Sequence, residues 1–228
     1  MKKAVVFDFD GVIIDSLDVQ KQAFTESYKM VVGGGVPPIG EFMRYSGDSL
    51  KNIFSKMNLP FGMIEQYRRI SQEKNELVKV FPGIRILLNQ LTEDGYRCGL
   101  CTGKDSFRTL QLLQKLNLKG YFKTVVCSDK VKNPKPHAES LVLAAKNLGV
   151  GLKDTIMIGD SCNDIICAQN AGTRSIGVTW GVTSKKGLAT ERPDDIVSSM
   201  QGLYDSIVAL SETALNFKGM STIQASNI

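Results

Sequence analysis

The hydrophobic positions of this 228-residue chain fall into two kinds of run. Short, continuous apolar runs bounded by Gly, Asp or Ser occupy residues 3–7, 97–101, 124–127 and 155–158, with a fifth at 174–178. Runs that do not alternate read as strands buried on both faces. Between them, apolar residues recur at helical spacing over 83–92, 106–116, 138–148 and 164–171. Glycine follows most of these as a stop signal. Such alternation predicts βαβ units, hence an α/β fold with a doubly wound, Rossmann-like parallel sheet. Residues 16–80 depart from it, with helical stretches at 17–32, 39–57 and 63–79, no convincing strand, and breakers at 33–35, 37–38 and Pro60. A helical cap inserted after the first strand accounts for this, leaving residues 1–15 and 81–210 as the core. Residues 211–228, polar and weakly patterned, read as a flexible tail.

Composition narrows the function classes. A net charge of +5, from 28 basic and 23 acidic residues spread along the chain, is too mild to imply a nucleic-acid partner. No apolar run approaches a membrane span, and only residues 4–7 are apolar before Asp8, too few for a signal peptide. A soluble, cytoplasmic protein, monomeric or weakly homo-oligomeric, is the expectation. The five cysteines are an odd number, which argues against a disulfide framework. Cys98 and Cys101 have CxxC spacing, but they lie in a predicted strand, where positions three apart face opposite ways. They are expected to be small buried hydrophobes.

Ligands of open α/β sheets bind beyond the carboxyl ends of the strands, so the residues following each run carry the chemistry. They are Asp8-Phe9-Asp10-Gly11, Thr102-Gly103-Lys104, Ser128-Asp129-Lys130 leading to Asn133-Pro134-Lys135-Pro136, and Gly159-Asp160-Ser161 followed by Asp164. Period-two geometry puts Asp8 and Asp10 on one side. Carboxylates so close repel, and a hard cation is the natural remedy. Asp160 adds an oxygen donor from another strand. Mg²⁺ suits few carboxylates, retained waters and a phosphate oxygen. A threonine hydroxyl and a lysine suit the remaining phosphate oxygens. These parts describe a phosphoryl-transfer centre with a carboxylate nucleophile.

FDFDGVIIDS, CTGK, NPKPH and IGDSCNDIICAQNAG, in that order, resemble the four motifs of the haloacid dehalogenase superfamily. The helical insertion resembles the small cap of its phosphoglycolate-phosphatase-like subfamily. The resemblance implies that Asp8 is the nucleophile and Asp10 the general acid and base. It implies Mg²⁺ held by Asp8, the Asp10 main-chain carbonyl and Asp160, with Asp164 in support. It also implies that Thr102 and Gly103 bind the phosphoryl group and that Lys135 neutralises charge beside Asp8. Lys132 rivals Lys135 on spacing, but Lys135 directly precedes a proline, as in the family motif. Asp164 also fits a helix N-terminus, and His137 reads as a surface or helix-start residue.

In the cap, Gly47 reads as a turn facing the site, with Arg44, Tyr45, Ser49 and Lys51 around it. Arg44 and Lys51 are candidates to meet an anionic substrate group. An aspartate at position 10 argues against dehalogenase and phosphonatase chemistry, which lack it. A β-phosphoglucomutase-like mutase is the alternative, but such mutases carry a histidine in the first cap helix, where this chain has Gln20. A non-catalytic binding or regulatory protein of the same fold is a further alternative. AFTESYKMVVGGGVPP, MNLP and VTWG resemble phosphatases found beside biosynthesis of 3-amino-5-hydroxybenzoate. That resemblance implies an amino-sugar or related metabolite phosphate as substrate.

Overall fold

A computed structural model describes residues 3–223, with side chains described to Glu212. The strands are β1 (Ala4–Phe7), β2 (Ile14–Asp15), β3 (Lys79–Val80), β4 (Arg97–Thr102), β5 (Thr124–Cys127), β6 (Thr155–Gly159), β7 (Arg174–Val178) and β8 (Asp195–Val197). The helices are α1 (Leu17–Val31), α2 (Ile39–Arg44), α3 (Leu50–Lys56), α4 (Gly62–Glu73), α5 (Ile84–Glu93), α6 (Ser106–Lys115), α7 (Glu139–Leu148), α8 (Cys162–Ala171), α9 (Lys185–Thr190) and α10 (Met200–Ile223).

Six strands form one parallel sheet in the order β5-β4-β1-β6-β7-β8. The chain starts in the middle, winds outward through β4 and β5, then returns to the other side of β1. Both faces of β1 are covered, which is why its sequence does not alternate. Val5 and Phe7 join a core with Leu88, Leu113 and Leu203, whereas Ala4 and Val6 join one with Leu141, Leu148 and Ala168. Cys98 and Cys101 divide between the same two cores, and both thiols are free. Phe7 pairs with Leu100 and with Ile158. That register sets Asp8, Thr102 and Asp160 at one edge, where the winding direction reverses.

Several elements differ from expectation: the helix expected over 63–79 stops at Glu73, and Lys79–Val80 form β3 in a stretch read as having no convincing strand. Strand β8 has only three residues and begins on an exposed aspartate, so it leaves no apolar run to find. Residues 211–223, expected as part of a tail, continue α10, whose Leu203, Ile207 and Leu210 pack on the core at helical spacing; residues 224–228 lie outside the described residues. The helix expected over 39–57 is two helices, because Gly47 takes a left-handed φ of +85° that breaks the helical path. Ser49 then starts α3 by accepting the Asn52 N–H at 3.3 Å.

Helices α1 to α4 enclose their own apolar centre, including Phe24, Phe42, Phe54 and Tyr67. The Phe24 and Phe42 rings stack with centroids 4.3 Å apart. The antiparallel ribbon β2–β3, with Ile14 opposite Val80 and Asp15 opposite Lys79, ties both chain crossings together at the base of these helices. Among the described residues, no helix is long and apolar enough to cross a membrane.

Candidate active site

Three carboxylates, Asp8, Asp160 and Asp164, converge beyond the edge of the sheet, each offering an oxygen within 4.8 Å of the others. Asp8 extends β1, and its N–H donates to Ile158 O at 2.8 Å. Asp160 follows β6, and Asp164 sits in the first turn of α8. All three are buried. Chain turns crowd Asp160: a Cβ on Gly11, where φ is +79°, would fall 2.1 Å from its Oδ2. Only glycine allows that approach and that backbone.

Lys135 is the counter-charge, buried to 1 % exposure. Its Nζ lies 2.9 Å from Asp8 Oδ1 and 2.5 Å from Asp164 Oδ1. Burial alone would lower the pKa of this ammonium, but Asp164 and Asp8 outweigh burial and hold it well above the ordinary lysine value. Asp8 is shifted well up, first by burial and then by Asp164 and Asp160, against Lys135. Burial, with the charges of Asp164 and Asp10, pushes Asp160 up to about 7. One lysine thus leaves the cluster over-supplied with negative charge, and a proton or a cation must make up the balance.

The donor set fits a hard cation. Asp160 Oδ1 is buried with no hydrogen-bond donor, and Asp8 Oδ1 has only the ion pair to Lys135. Asp164, by contrast, is fully engaged. Its Oδ2 accepts from the Ser161 N–H at 3.1 Å and hydroxyl at 2.6 Å, and its Oδ1 meets Lys135. An unpartnered oxygen on Asp160 beside an Asp8 carboxylate held only by Lys135, braced by a satisfied Asp164, suits Mg²⁺, which takes few carboxylates.

Asp10 is not part of this cluster. After Gly11 the chain turns, and the Asp10 carboxylate accepts the Ser16 hydroxyl at 2.5 Å and pairs with Lys104 Nζ at 3.2 Å. The expected repulsion between the Asp8 and Asp10 side chains is therefore relieved by a lysine, and Asp160 and Asp164 supply the real crowding. As a carboxylate ligand to the same ion, Asp10 is displaced.

Asp8 and Asp10 line a cavity of about 40 Å³ with Thr102, Gly103, Lys104 and Arg108 from the core and Gln20, Phe42, Asp48 and Tyr67 from the helical insertion. The 45–49 loop rests on the Thr102–Gly103 turn so closely that a Cβ on Gly103 would lie 2.4 Å from the Asp48 carbonyl oxygen. Asn163 fastens the loop by donating to Ser46 O at 2.7 Å. Gly47 is thus the turn above the site. Its neighbours Arg44 and Lys51 are exposed and do not line this cavity, but Lys51 lines an adjoining one with Gly103 and Arg108. Lys132 and His137 are exposed too, and the His137 ring accepts the Glu139 N–H at the start of α7.

Sequence reasoning missed Lys104, Arg108 and Asp48. Lys104 stands in CTGK and could have been found from its neighbours. Arg108 carries no local signal, since only the docking of α6 under the insertion brings it to the cavity. Asp48 is buried against Lys56 at 2.8 Å and accepts from Asn52, a pattern indistinguishable in sequence from a solvated helix start.

Comparison with known proteins agrees with this geometry. The sequence profile of the Haloacid dehalogenase-like hydrolase family matches residues 5–178. Pyrophosphatase PpaX from Bacillus pumilus is 31% identical over 202 residues, covering 87% of this chain and 93% of that protein. Probable phosphatase IndB from Dickeya dadantii is 29% identical over 233 residues, covering 95% and 100%. A predicted phosphatase from Clostridium acetobutylicum superposes with a TM-score of 0.82 at 28% identity, covering 92% of this chain and 99% of that one. With the profile spanning β1 to β7, and so every strand end that carries a site carboxylate, the chain belongs to the haloacid dehalogenase-like hydrolase family.

Proposed function

We propose that this hydrolase is a Mg²⁺-dependent phosphatase of small phosphorylated metabolites, working through an aspartyl phosphate on Asp8. The observation that carries the reading is the separation of the two aspartates. Asp8 lies in the carboxylate–lysine cluster, whereas Asp10 faces the cavity from outside that cluster with its own lysine. One carboxylate is placed to attack, the other to handle protons.

An Asp8 oxygen attacks phosphorus as the bond to the leaving oxygen breaks, and Asp10 supplies the proton that the leaving oxygen takes. Water then attacks the phosphoryl group with Asp10 accepting its proton, and the Asp8–phosphorus bond breaks to release inorganic phosphate. Thr102 and the Gly103 N–H hold phosphoryl oxygens, and Lys135 holds Asp8. Asp8, Asp160 and the Asp10 main-chain carbonyl would hold Mg²⁺, which supplies charge neutralisation to the transferred group when bound. Gln20, which lines the cavity and donates to Ser16 at 3.0 Å, cannot exchange protons as a histidine would. Its presence supports hydrolysis over transfer to a second sugar hydroxyl.

The name of the Bacillus pumilus relative, a pyrophosphatase, extends the substrate class to pyrophosphate. An amino-sugar phosphate is the other class to assay. The test is phosphate release from p-nitrophenyl phosphate and a panel of phosphometabolites, with and without Mg²⁺. Turnover should need the metal and fall at least about 1,000-fold in Asp8→Asn. Turnover that survives Asp8→Asn overturns the reading.

A further inference from the structure

The cavity has a second charged wall, which the phosphoryl-binding residues do not explain. Lys104 lies in the turn just before α6 and Arg108 in the first turn of that helix, and both side chains reach the same cavity. Both are nearly buried and both line the cavity opposite its apolar ceiling of Phe42, Leu50 and Ile53. Each has a carboxylate partner outside the metal cluster. Lys104 Nζ pairs with Asp10 at 3.2 Å, and Arg108 Nε pairs with Asp105 Oδ2 at 2.8 Å. Asp105 is additionally held by Arg68 of α4 at 3.1 Å, so its charge is shared and does not fully cancel that of Arg108.

The guanidinium is anchored for recognition. Asp105 takes the Nε–H, Ser71 accepts from Nη1 at 3.5 Å, and the Tyr67 ring lies with its centroid 5.6 Å from the guanidinium carbon. A guanidinium carries five N–H donors, so this anchoring leaves donors for a ligand, and the side chain is already ordered. Burial, and the neighbouring charge of Arg108, hold the Lys104 pKa below its ordinary value against Asp10. Two adjacent buried cations are an arrangement that an anion between them would relieve.

We propose that Lys104 and Arg108 form an oxyanion subsite for the leaving group, selecting substrates that carry a second negative charge next to the transferred phosphoryl. Arg108 also lines the adjoining cavity with Gly103 and Leu50, so the subsite sits where the leaving group departs from the phosphoryl turn. The shared chemistry is a planar or tetrahedral oxyanion, either a second phosphoryl group or a carboxylate. Binding draws Lys104 from Asp10 toward that oxyanion and frees Asp10 to face the leaving oxygen. Arg108 is thus a specificity-determining residue supplied by the core, where cap cations were expected.

This inference rests on the phosphatase reading, so its test includes an arm that needs no turnover. Binding of methylenediphosphonate and of methylphosphonate to the unaltered protein and to Arg108→Met is measured by calorimetry at fixed free Mg²⁺. Arg108→Met, which keeps an apolar stem beside Tyr67, should weaken methylenediphosphonate about 10- to 100-fold and methylphosphonate less than about 3-fold. In turnover, kcat/KM for pyrophosphate and phosphoglycolate should fall by a similar factor while that for ethyl phosphate holds, and Arg108→Lys should recover part of the loss. Pyrophosphate and phosphoglycolate separate the phosphoryl source from the carboxylate source. Equal losses for both ligands, or no preference for the second charge in the unaltered protein, overturn the subsite. If no phosphoester or pyrophosphate is turned over but the binding preference stands, the reaction assignment fails and the subsite survives.

Discussion

Lys135 shows how much one side chain is asked to do. Its ammonium bridges two buried carboxylates and is itself 1 % exposed. Removing one partner of a buried ionic group leaves the others uncompensated, typically at about 3–5 kcal/mol. Lys135→Met is therefore expected to lose on the order of that in urea denaturation, along with phosphatase activity, and added Mg²⁺ should restore part of the stability by replacing the missing charge. Lys132→Met, at an exposed position, should stay within about 0.5 kcal/mol. A collapse of Lys132→Met with an unchanged Lys135→Met would reverse the assignment. The choice between the two lysines was legible only through the adjoining proline. The fate of Asp10 was not legible, because β1 ends at Phe7 and the chain bends at Phe9, and the carboxylate meets Lys104 instead.

At the scale of elements, the 45–49 loop couples the helical insertion to the catalytic edge. Gly47 has a φ of +85°, and a Cβ there would lie 2.5 Å from Ser161 Oγ. A side chain would cost about 1–2 kcal/mol in backbone strain and push the loop off the Thr102–Gly103 turn. Gly47→Ala should lower kcat/KM by about 10-fold or more and speed hydrogen exchange over 45–49, with a Tm drop of only a few degrees. Gly34→Ala, where the surroundings are open, is the control and should change neither. The buried strands and the helices between them were readable because a core covered on both faces imposes unbroken apolar runs. What was hidden shares one cause. The β2–β3 ribbon, β8 and the 45–49 break are two to five residues long, shorter than any period they would need to display. The same loop sets the two cap cations apart: Arg44 lies outside both cavities beside the Thr102–Gly103 turn, whereas Lys51 lines a neighbouring one with Gly103 and Arg108.

The whole molecule carries an electrostatic liability at its centre, and its stability should follow pH accordingly. Burial above all pushes the Asp160 carboxyl up to about 7 in the folded chain, from the ordinary aspartate value of 3.8. Between those values the native state holds a proton that the unfolded chain has released. With fewer protons bound unfolded than folded, unfolding free energy must fall as pH rises. The stabilising effect of the proton is complete below about pH 4 and gone above about pH 7; other carboxylates set the acid limb. Asp8, raised by the same cause, steepens the loss. In chelator, urea midpoints should therefore decline from pH 5 to pH 7.5, by an amount on the order of a few kcal/mol in extrapolated stability. Mg²⁺ binds the deprotonated carboxylates and stabilises most where they are ionised. Its addition should flatten or reverse the slope, with the largest gain in Tm above pH 7 and little at pH 5. A metal-free profile that rises over the same range would mean that the cluster is neutralised from within the protein, and that the cation these residues are arranged to hold is not needed.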